Sequence, residues 1–280
     1  MSNQWAIITG GSSGIGAALF RRLLQREPGI HCLAVGRRLA QLEAVMREAT
    51  SHSVEAESRA HVVRADVRTP EGIATVVSAL PNDARVVFLV HNAGVLGPIA
   101  PLSEIDRSAW RDAIATNLEA PLFLTQALVP RMAGRRSSDG DDVVVERRAR
   151  VLHVSSGAAH QPYVGWGPYC VTKAGLHMMY RCLSEELSRQ HDILVGSVRP
   201  GVVDTPMQAE IRGYDGDPDN FPMKAKFDAL HAESRLERPE DAAAFFHWLL
   251  SEVGDEEFRA EEWDIRNCKE DSRWRTFSSA

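Results

Sequence analysis

Short, almost continuously apolar runs alternate along this chain with longer segments in which apolar residues recur at helical spacing. The runs WAIIT (5–9), HCLAVG (31–36), HVVRA (61–65), VVFLVHN (86–92), RVLHVS (150–155), ILVGSV (193–198) and EEWDI (261–265) read as strands. Segments 14–27, 38–50, 70–80, 104–134, 168–190 and 239–252 read as helices. Strands that are apolar throughout, and not only at alternate positions, are buried on both faces. Their alternation with helices predicts an α/β fold: a doubly wound sheet of about seven parallel strands with helices on both faces. No linker interrupts the pattern, so residues 1–280 are expected to form a single domain.

Two stretches break the rhythm. Residues 134–149, GRRSSDGDDVVVERRA, are charged around a Gly/Ser/Asp centre and read as an exposed insertion loop before the fifth strand. Residues 204–235, rich in Gly, Pro and Asp, follow a strand's carboxyl end. Open α/β sheets bind their ligands at that end, so this stretch is a candidate substrate lid.

Composition narrows the function classes. The 280 residues carry 44% hydrophobic and 25% charged side chains, enough for one large core. A net charge of −6 offers no basic footprint for nucleic acid. The N-terminal MSNQWAIITGG enters a strand at once, and no run approaches the length of a membrane span, which predicts a cytoplasmic protein without a membrane partner. Cys32, Cys170, Cys182 and Cys268 are widely spaced and read as reduced thiols, and no histidine pair has metal-ligand spacing, so no metal is expected.

The first strand runs into IITGGSSGIG, placing Gly10, Gly14 and Gly16 between strand and helix, with Ser12, Ser13 and Ile15 among them. Glycines let a backbone turn sharply and approach a pyrophosphate, and a helix N-terminus favours its charge, as in Rossmann-type dinucleotide sites. The second strand ends AVGRR. A site for NAD commonly has Asp or Glu there for the ribose 2′-hydroxyl, whereas Gly36 followed by Arg37 and Arg38 leaves room and charge for a 2′-phosphate, so NADPH/NADP+ is the expected cofactor. Arg38 also reads as a surface residue opening a helix. Asp66, with Val67 after the third strand, is placed to reach the adenine edge or to cap the helix that follows.

TGGSSGIG (9–16), HNAG (91–94), TNLEAP (116–121), VSSGAAHQPYVGWGPYCVTKAG (154–175) and RPGVVDTP (199–206) occur in the order and spacing of the short-chain dehydrogenase/reductase family, which this chain resembles over almost its whole length. HQPYVGWGPYC, DTPMQ and EEWDI look most like the sepiapterin reductase and benzil reductase branch. The resemblance implies a catalytic set of Asn117, Ser156, Tyr169 and Lys173. Tyr169 would donate the proton to a carbonyl, Lys173 four residues on would favour its phenolate and hold the nicotinamide ribose, Ser156 would bind the substrate oxygen, and Asn117 would shape the backbone and hold a relay water. It also implies that Asn92, Ala93, Gly94, Pro200, Gly201, Val203 and Thr205 contact the cofactor, Thr205 through the nicotinamide carboxamide. His91 departs from the family, which usually has Asn there. Trp166, Met207, Gln208 and Asp264 are candidate substrate contacts: Trp166 as a stacking platform or a subunit contact, and Asp264 as an anchor for pterin amino groups. The family's habit implies a homodimer or homotetramer built on helices 104–134 and 168–190.

These readings lead to an NADPH-dependent carbonyl reductase acting on a ketone or vicinal dicarbonyl of sepiapterin- or benzil-like form. The alternatives are a short-chain reductase of 3-oxoacyl thioester or alcohol dehydrogenase type, and a non-catalytic NADP(H)-sensing protein.

Overall fold

The computed structural model describes residues 3–51, 53–133, 147–268, 270, 271, 273, 274 and 277. Seven parallel strands form one sheet: β1 (Gln4–Thr9), β2 (Ile30–Gly36), β3 (Ala60–Arg64), β4 (Arg85–His91), β5 (Arg150–Val154), β6 (Leu194–Arg199) and β7 (Trp263–Asp264). Their order is β3-β2-β1-β4-β5-β6-β7. The order reverses between β1 and β4, and the crevice beyond their carboxyl ends is where such sheets bind ligands.

Helices cover both faces. On one side α1 (Gly14–Arg26), α2 (Leu39–Thr50) and α10 (Pro239–Ser251) bury Phe20, Leu42, Phe245 and Phe246 in a core with Ile8 and Val90. On the other, α4 (Pro70–Ser78), α6 (Ala120–Met132) and α7 (Gly167–His191) bury Val76, Leu124, Leu128 and Leu183 against Ile7, Leu89 and Val195. Strand residues alternate between the two cores, which is why both faces had to be apolar. Among the described residues, no helix is long and apolar enough to cross a membrane.

Several short helices lie where the sequence suggested loops: α3 (Val54–Arg59), α8 (Pro206–Arg212), α9 (Lys224–Ala232) and α11 (Asp255–Ala260). Helices this short are marginal by themselves and form because tertiary packing holds them, so periodicity does not announce them. The segment 204–235 is therefore helical, with Phe221 and Phe227 fully buried. Of the insertion expected at 134–149, residues 134–146 lie outside the described residues.

The long helix expected over 104–134 is interrupted. It comprises α5 (Arg107–Ile114), a π turn (Ala115–Glu119) and α6. Pro121 has no N–H to give the carbonyl of Asn117, so the α ladder fails at this turn and the backbone widens. The widening sets Asn117 inward, at 1% exposure.

Candidate active site

The glycine turn closes tightly on β4. Gly10 has φ +68°, a conformation that favours glycine, and a methyl at Gly16 would stand 2.4 Å from the Gly10 carbonyl oxygen. Asn92 Nδ2 donates to the carbonyls of Thr9 (2.9 Å) and Gly10 (3.3 Å), and the backbone N–H groups of Asn92 and Ala93 donate to Thr9 Oγ1. Ser13 stands at the N-cap of α1 without a side-chain cap bond, which leaves the helix's first N–H groups available to an anion. This turn opens onto a cavity of about 770 Å³ that runs past β1, β4, β5 and β6. A loop whose glycines permit close approach, ending at an uncapped helix N-terminus, suits the pyrophosphate of a dinucleotide.

Gly36, Arg37 and Arg38 all line the cavity at its far end. Arg38 is exposed and opens α2 at its N-cap, as a surface residue there would, and it also reaches the glycine turn. Its Nη2 donates to Ser12 Oγ (2.9 Å) and Ser13 Oγ (3.0 Å), which places a guanidinium against the phosphate end of the turn. Asp66 does not cap α4; Thr69 does, accepting from the Gly72 N–H. The Asp66 carboxylate is held by Arg68, from Nη2 at 2.7 Å and Nε at 2.9 Å, and this pairing lowers its pKa. Arg68 also reaches Asp112 at 3.0 Å. Asp66 thus faces the cavity as a fixed anion, with Val67 beside it.

Ser156, Tyr169 and Lys173 share one wall of the same cavity. Ser156 follows the end of β5 and caps the turn Gly157–Ala159, its Oγ accepting from Ala158 N–H at 3.2 Å. Tyr169 and Lys173 project from the first turns of α7, one helical turn apart. Lys173 Nζ donates to the Val154 carbonyl at 2.7 Å and lies 5.6 Å from the centre of the Tyr169 ring. Burial pushes the Tyr169 phenol up to about 12, against a smaller downward effect of its hydrogen bond with Ser156. Burial outweighs that hydrogen bond and keeps the proton on oxygen.

Burial also lowers Lys173, to about 8 from 10.5, with Glu262 acting in the opposite direction. Between those two values the unfolded chain binds the proton that the folded chain has released. This group's contribution to stability is therefore least below pH 8 and improves as pH rises from about 8 towards 10.5. In Lys173→Met this improvement is absent. Urea unfolding of both proteins at about pH 7.5 and about pH 9.5 tests it, and an identical pH response would remove the assignment.

Three predicted residues stand behind or away from the cavity wall. Gly16 lies under Gly10 and permits the close turn. Asn117 accepts from the Val95 N–H and donates to the Val95 carbonyl, both at 2.9 Å, and donates to Thr172 Oγ1 at 3.0 Å. A methyl built on Gly94 would meet Asn117 Oδ1 at 3.4 Å and Lys173 Nζ at 3.8 Å, so Asn117 backs the wall that Lys173 occupies. Asp264 does not reach the cavity at all. Its carboxylate accepts from Arg266 N–H, Nε and Nη2 and pairs with Arg199 at 3.4 Å, so its oxygens are engaged and no pterin anchor is offered. Arg199 and Arg266, which hold it, line the cavity instead.

Trp166 is buried within the chain. Tyr163, Phe221 and Phe227 lie near-parallel to it at 5.0, 5.5 and 5.3 Å, and Tyr169 meets it edge-on at 6.0 Å. With its faces covered it supports the wall and is not an open platform; Tyr163 and Phe227 share the lining with it. Met207 and Gln208 open α8 at the same end, where Thr205 caps the helix and donates to the Val203 carbonyl at 3.3 Å. Pro200 and Gly201, the latter at φ +77°, complete that side. His91, where the motif departs, is buried beside Thr125 Oγ1 (2.8 Å) and edge-on to His153, and desolvation holds it neutral. Sequence reasoning missed Tyr163, Arg199, Phe227 and Arg266. Tyr163 was legible in HQPY, whereas nothing in the sequence around the other three marks a cavity wall.

The family model for short chain dehydrogenase matches residues 4–215. Benzil reductase ((S)-benzoin forming) of Bacillus cereus is 30% identical over 253 residues, 88% of this chain and 94% of that protein. The enzyme of the same name from Bacillus subtilis (strain 168) is 30% identical over 262 residues, 93% of this chain and 97% of that protein. Among solved structures, an actinorhodin polyketide ketoreductase variant with NADPH superposes with TM-score 0.74 at 25% identity, over 94% of each chain.

Proposed function

This chain belongs to the short chain dehydrogenase family, and from that premise we propose that it is an NADPH-dependent reductase of vicinal dicarbonyls carried on flat rings, of the kind benzil represents. The observation that carries the reading is one continuous cavity with the glycine turn and two arginines at one end and Ser156, Tyr169 and an aromatic wall at the other. The cofactor supplies the hydride. Gly10, Gly14 and the start of α1 would hold its pyrophosphate, Arg37 and Arg38 its 2′-phosphate, and Pro200, Gly201, Val203 and Thr205 would border the nicotinamide.

The chain's residues handle the proton. Ser156 donates a hydrogen bond to the substrate oxygen and fixes the carbonyl. Burial keeps the proton on the Tyr169 phenol at neutral pH, so the phenol is available as the acid: its O–H bond breaks as the substrate oxygen gains the proton. Lys173, anchored on Val154, holds a positive charge beside the phenolate this leaves. Asn117 keeps the Val95 loop and Thr172 in place around them. The intact Ser156, Tyr169 and Lys173 group distinguishes this reading from a non-catalytic NADP(H) sensor. The exposed apolar side chains Phe123 on α6 and Val171 and Met178 on α7 suit a homo-oligomer packed through those helices.

NADPH oxidation with benzil, sepiapterin and a simple aliphatic ketone tests the substrate class. Benzil is expected to be consumed fastest, and no turnover of any aryl dicarbonyl would overturn the proposal. Tyr163→Leu removes one ring of the wall. It should lower kcat/KM for benzil by roughly 2- to 12-fold, the equivalent of the ~0.5–1.5 kcal/mol of an aromatic pair, with little change for the aliphatic ketone.

A further inference from the structure

Tyr169, Lys173 and His177 follow one another at single-turn intervals down the same stripe of α7. The first two face the cavity and the third does not. His177 meets His160, from the loop that follows Ser156, and Glu262, which immediately precedes β7. The Glu262 side chain is 5% exposed, with Oε2 2.5 Å from His160 Nε2 and Oε1 3.2 Å from His177 Nδ1. The two imidazoles stand edge to face at 4.6 Å, and one ligand atom from each of the three residues lies within 4.8 Å of the others.

We propose that His160, His177 and Glu262 form a binding site for one divalent transition-metal ion, with Zn²⁺ the best match, which clamps the loop after β5 to α7. Two imidazoles and one carboxylate are a donor set that zinc accepts with a fourth position left to water, and nitrogen donors favour it over Mg²⁺ or Ca²⁺. The site has an entry path, because the His160 side chain is 38% exposed. It also has supporting groups. Ser197 Oγ donates to Glu262 Oε1 at 2.9 Å, and Arg199 Nε lies 3.1 Å from Oε2. Arg199 does not compete outright for the carboxylate, since its charge is shared with Asp264 at 3.4 Å. One Glu262 oxygen can turn to the ion while the other keeps Arg199, an outer partner of the sort that orients metal ligands. None of the three ligands lines the catalytic cavity, so the site is separate from it. It is linked to the cavity by the backbone: His160 lies between Ser156 and Tyr163 in the chain, and His177 lies one turn beyond Lys173.

The test uses the full chain, stripped with chelator and titrated with Co²⁺ and then Zn²⁺. One equivalent of Co²⁺ per chain should bind with visible d–d absorption, be displaced by Zn²⁺, and raise Tm, since a ligand that binds only the folded state stabilises it. Binding should weaken on acidification, because the imidazoles must be unprotonated to coordinate. His160→Gln with His177→Gln should weaken Co²⁺ binding at least about tenfold. Another close imidazole pair, His31 and His61 at 3.2 Å, serves as control: His31→Gln with His61→Gln should leave binding unchanged. Where circular dichroism shows the first double variant unfolded, the exposed single variant His160→Gln decides by the same criterion. Absence of a stoichiometric Co²⁺ spectrum, or undiminished binding in the His160 and His177 variants, means a hydrogen-bonded cluster only and overturns the proposal.

Discussion

Tyr169→Phe is expected to lower kcat by about 10²- to 10⁴-fold, the range for loss of a positioned proton donor, while NADPH binds with unchanged affinity. The substitution removes only the phenolic oxygen. The ring stays in its edge-on contact with Trp166, and Tyr169 is 8% exposed, so its packing is preserved. What is lost is the proton that burial keeps on oxygen at neutral pH, together with the hydrogen bond to Ser156. Ser156 cannot replace it, because a serine hydroxyl is far too weak an acid, and the Lys173 ammonium is anchored on the Val154 carbonyl at 2.7 Å. Rates measured with saturating NADPH and benzil, alongside NADPH binding by fluorescence, check both halves. A variant that keeps near-normal kcat would show that another group, or water, supplies the proton.

Removing both arginines at the end of β2 is expected to have the second-largest effect, and on cofactor choice rather than on chemistry. A charge-assisted hydrogen bond to a phosphate contributes about 1.5–3 kcal/mol, so Arg37→Ala with Arg38→Ala should weaken NADPH roughly 13- to 160-fold if one such bond is lost, and more if two are. NADH, lacking the 2′-phosphate, should change little. The two positions are separable. Arg38 is already engaged with Ser12 and Ser13 at 2.9 and 3.0 Å, so Arg38→Ala also loosens the glycine turn and should weaken both cofactors somewhat. Arg37 lines the cavity and its charge acts on Asp66, so Arg37→Ala should discriminate against NADPH alone. Adding Gly36→Asp supplies the missing acid, and there is space for it: a methyl at Gly36 meets nothing closer than Ser12 Oγ at 3.6 Å. Titration of each variant with NADPH and NADH measures the ratio. Undiminished NADPH preference in the triple variant would end the 2′-phosphate assignment.

The sequence by itself determined the parallel sheet and the two local pieces of chemistry. The runs that became β1, β2, β4, β5 and β6 were legible because a strand buried on both faces must be apolar at nearly every position, which is a property of consecutive residues. The glycine turn and the Tyr169–Lys173 pair were legible for the same reason: a tight turn and a one-turn helical interval are set by spacing along the chain. Tertiary structure decided the rest, because it brings together groups whose separation in sequence carries no signal. Asp264 looked like a substrate anchor until Arg199 and Arg266 were seen to occupy it. Trp166 looked like a platform until Phe221 and Phe227 of the 204–235 segment were seen to cover it. How much water the fold removes from around the phenol, which raises its pKa, cannot be counted along the chain. His177 and Glu262 stand 85 residues apart and meet only because β7 lies beside β6 under α7.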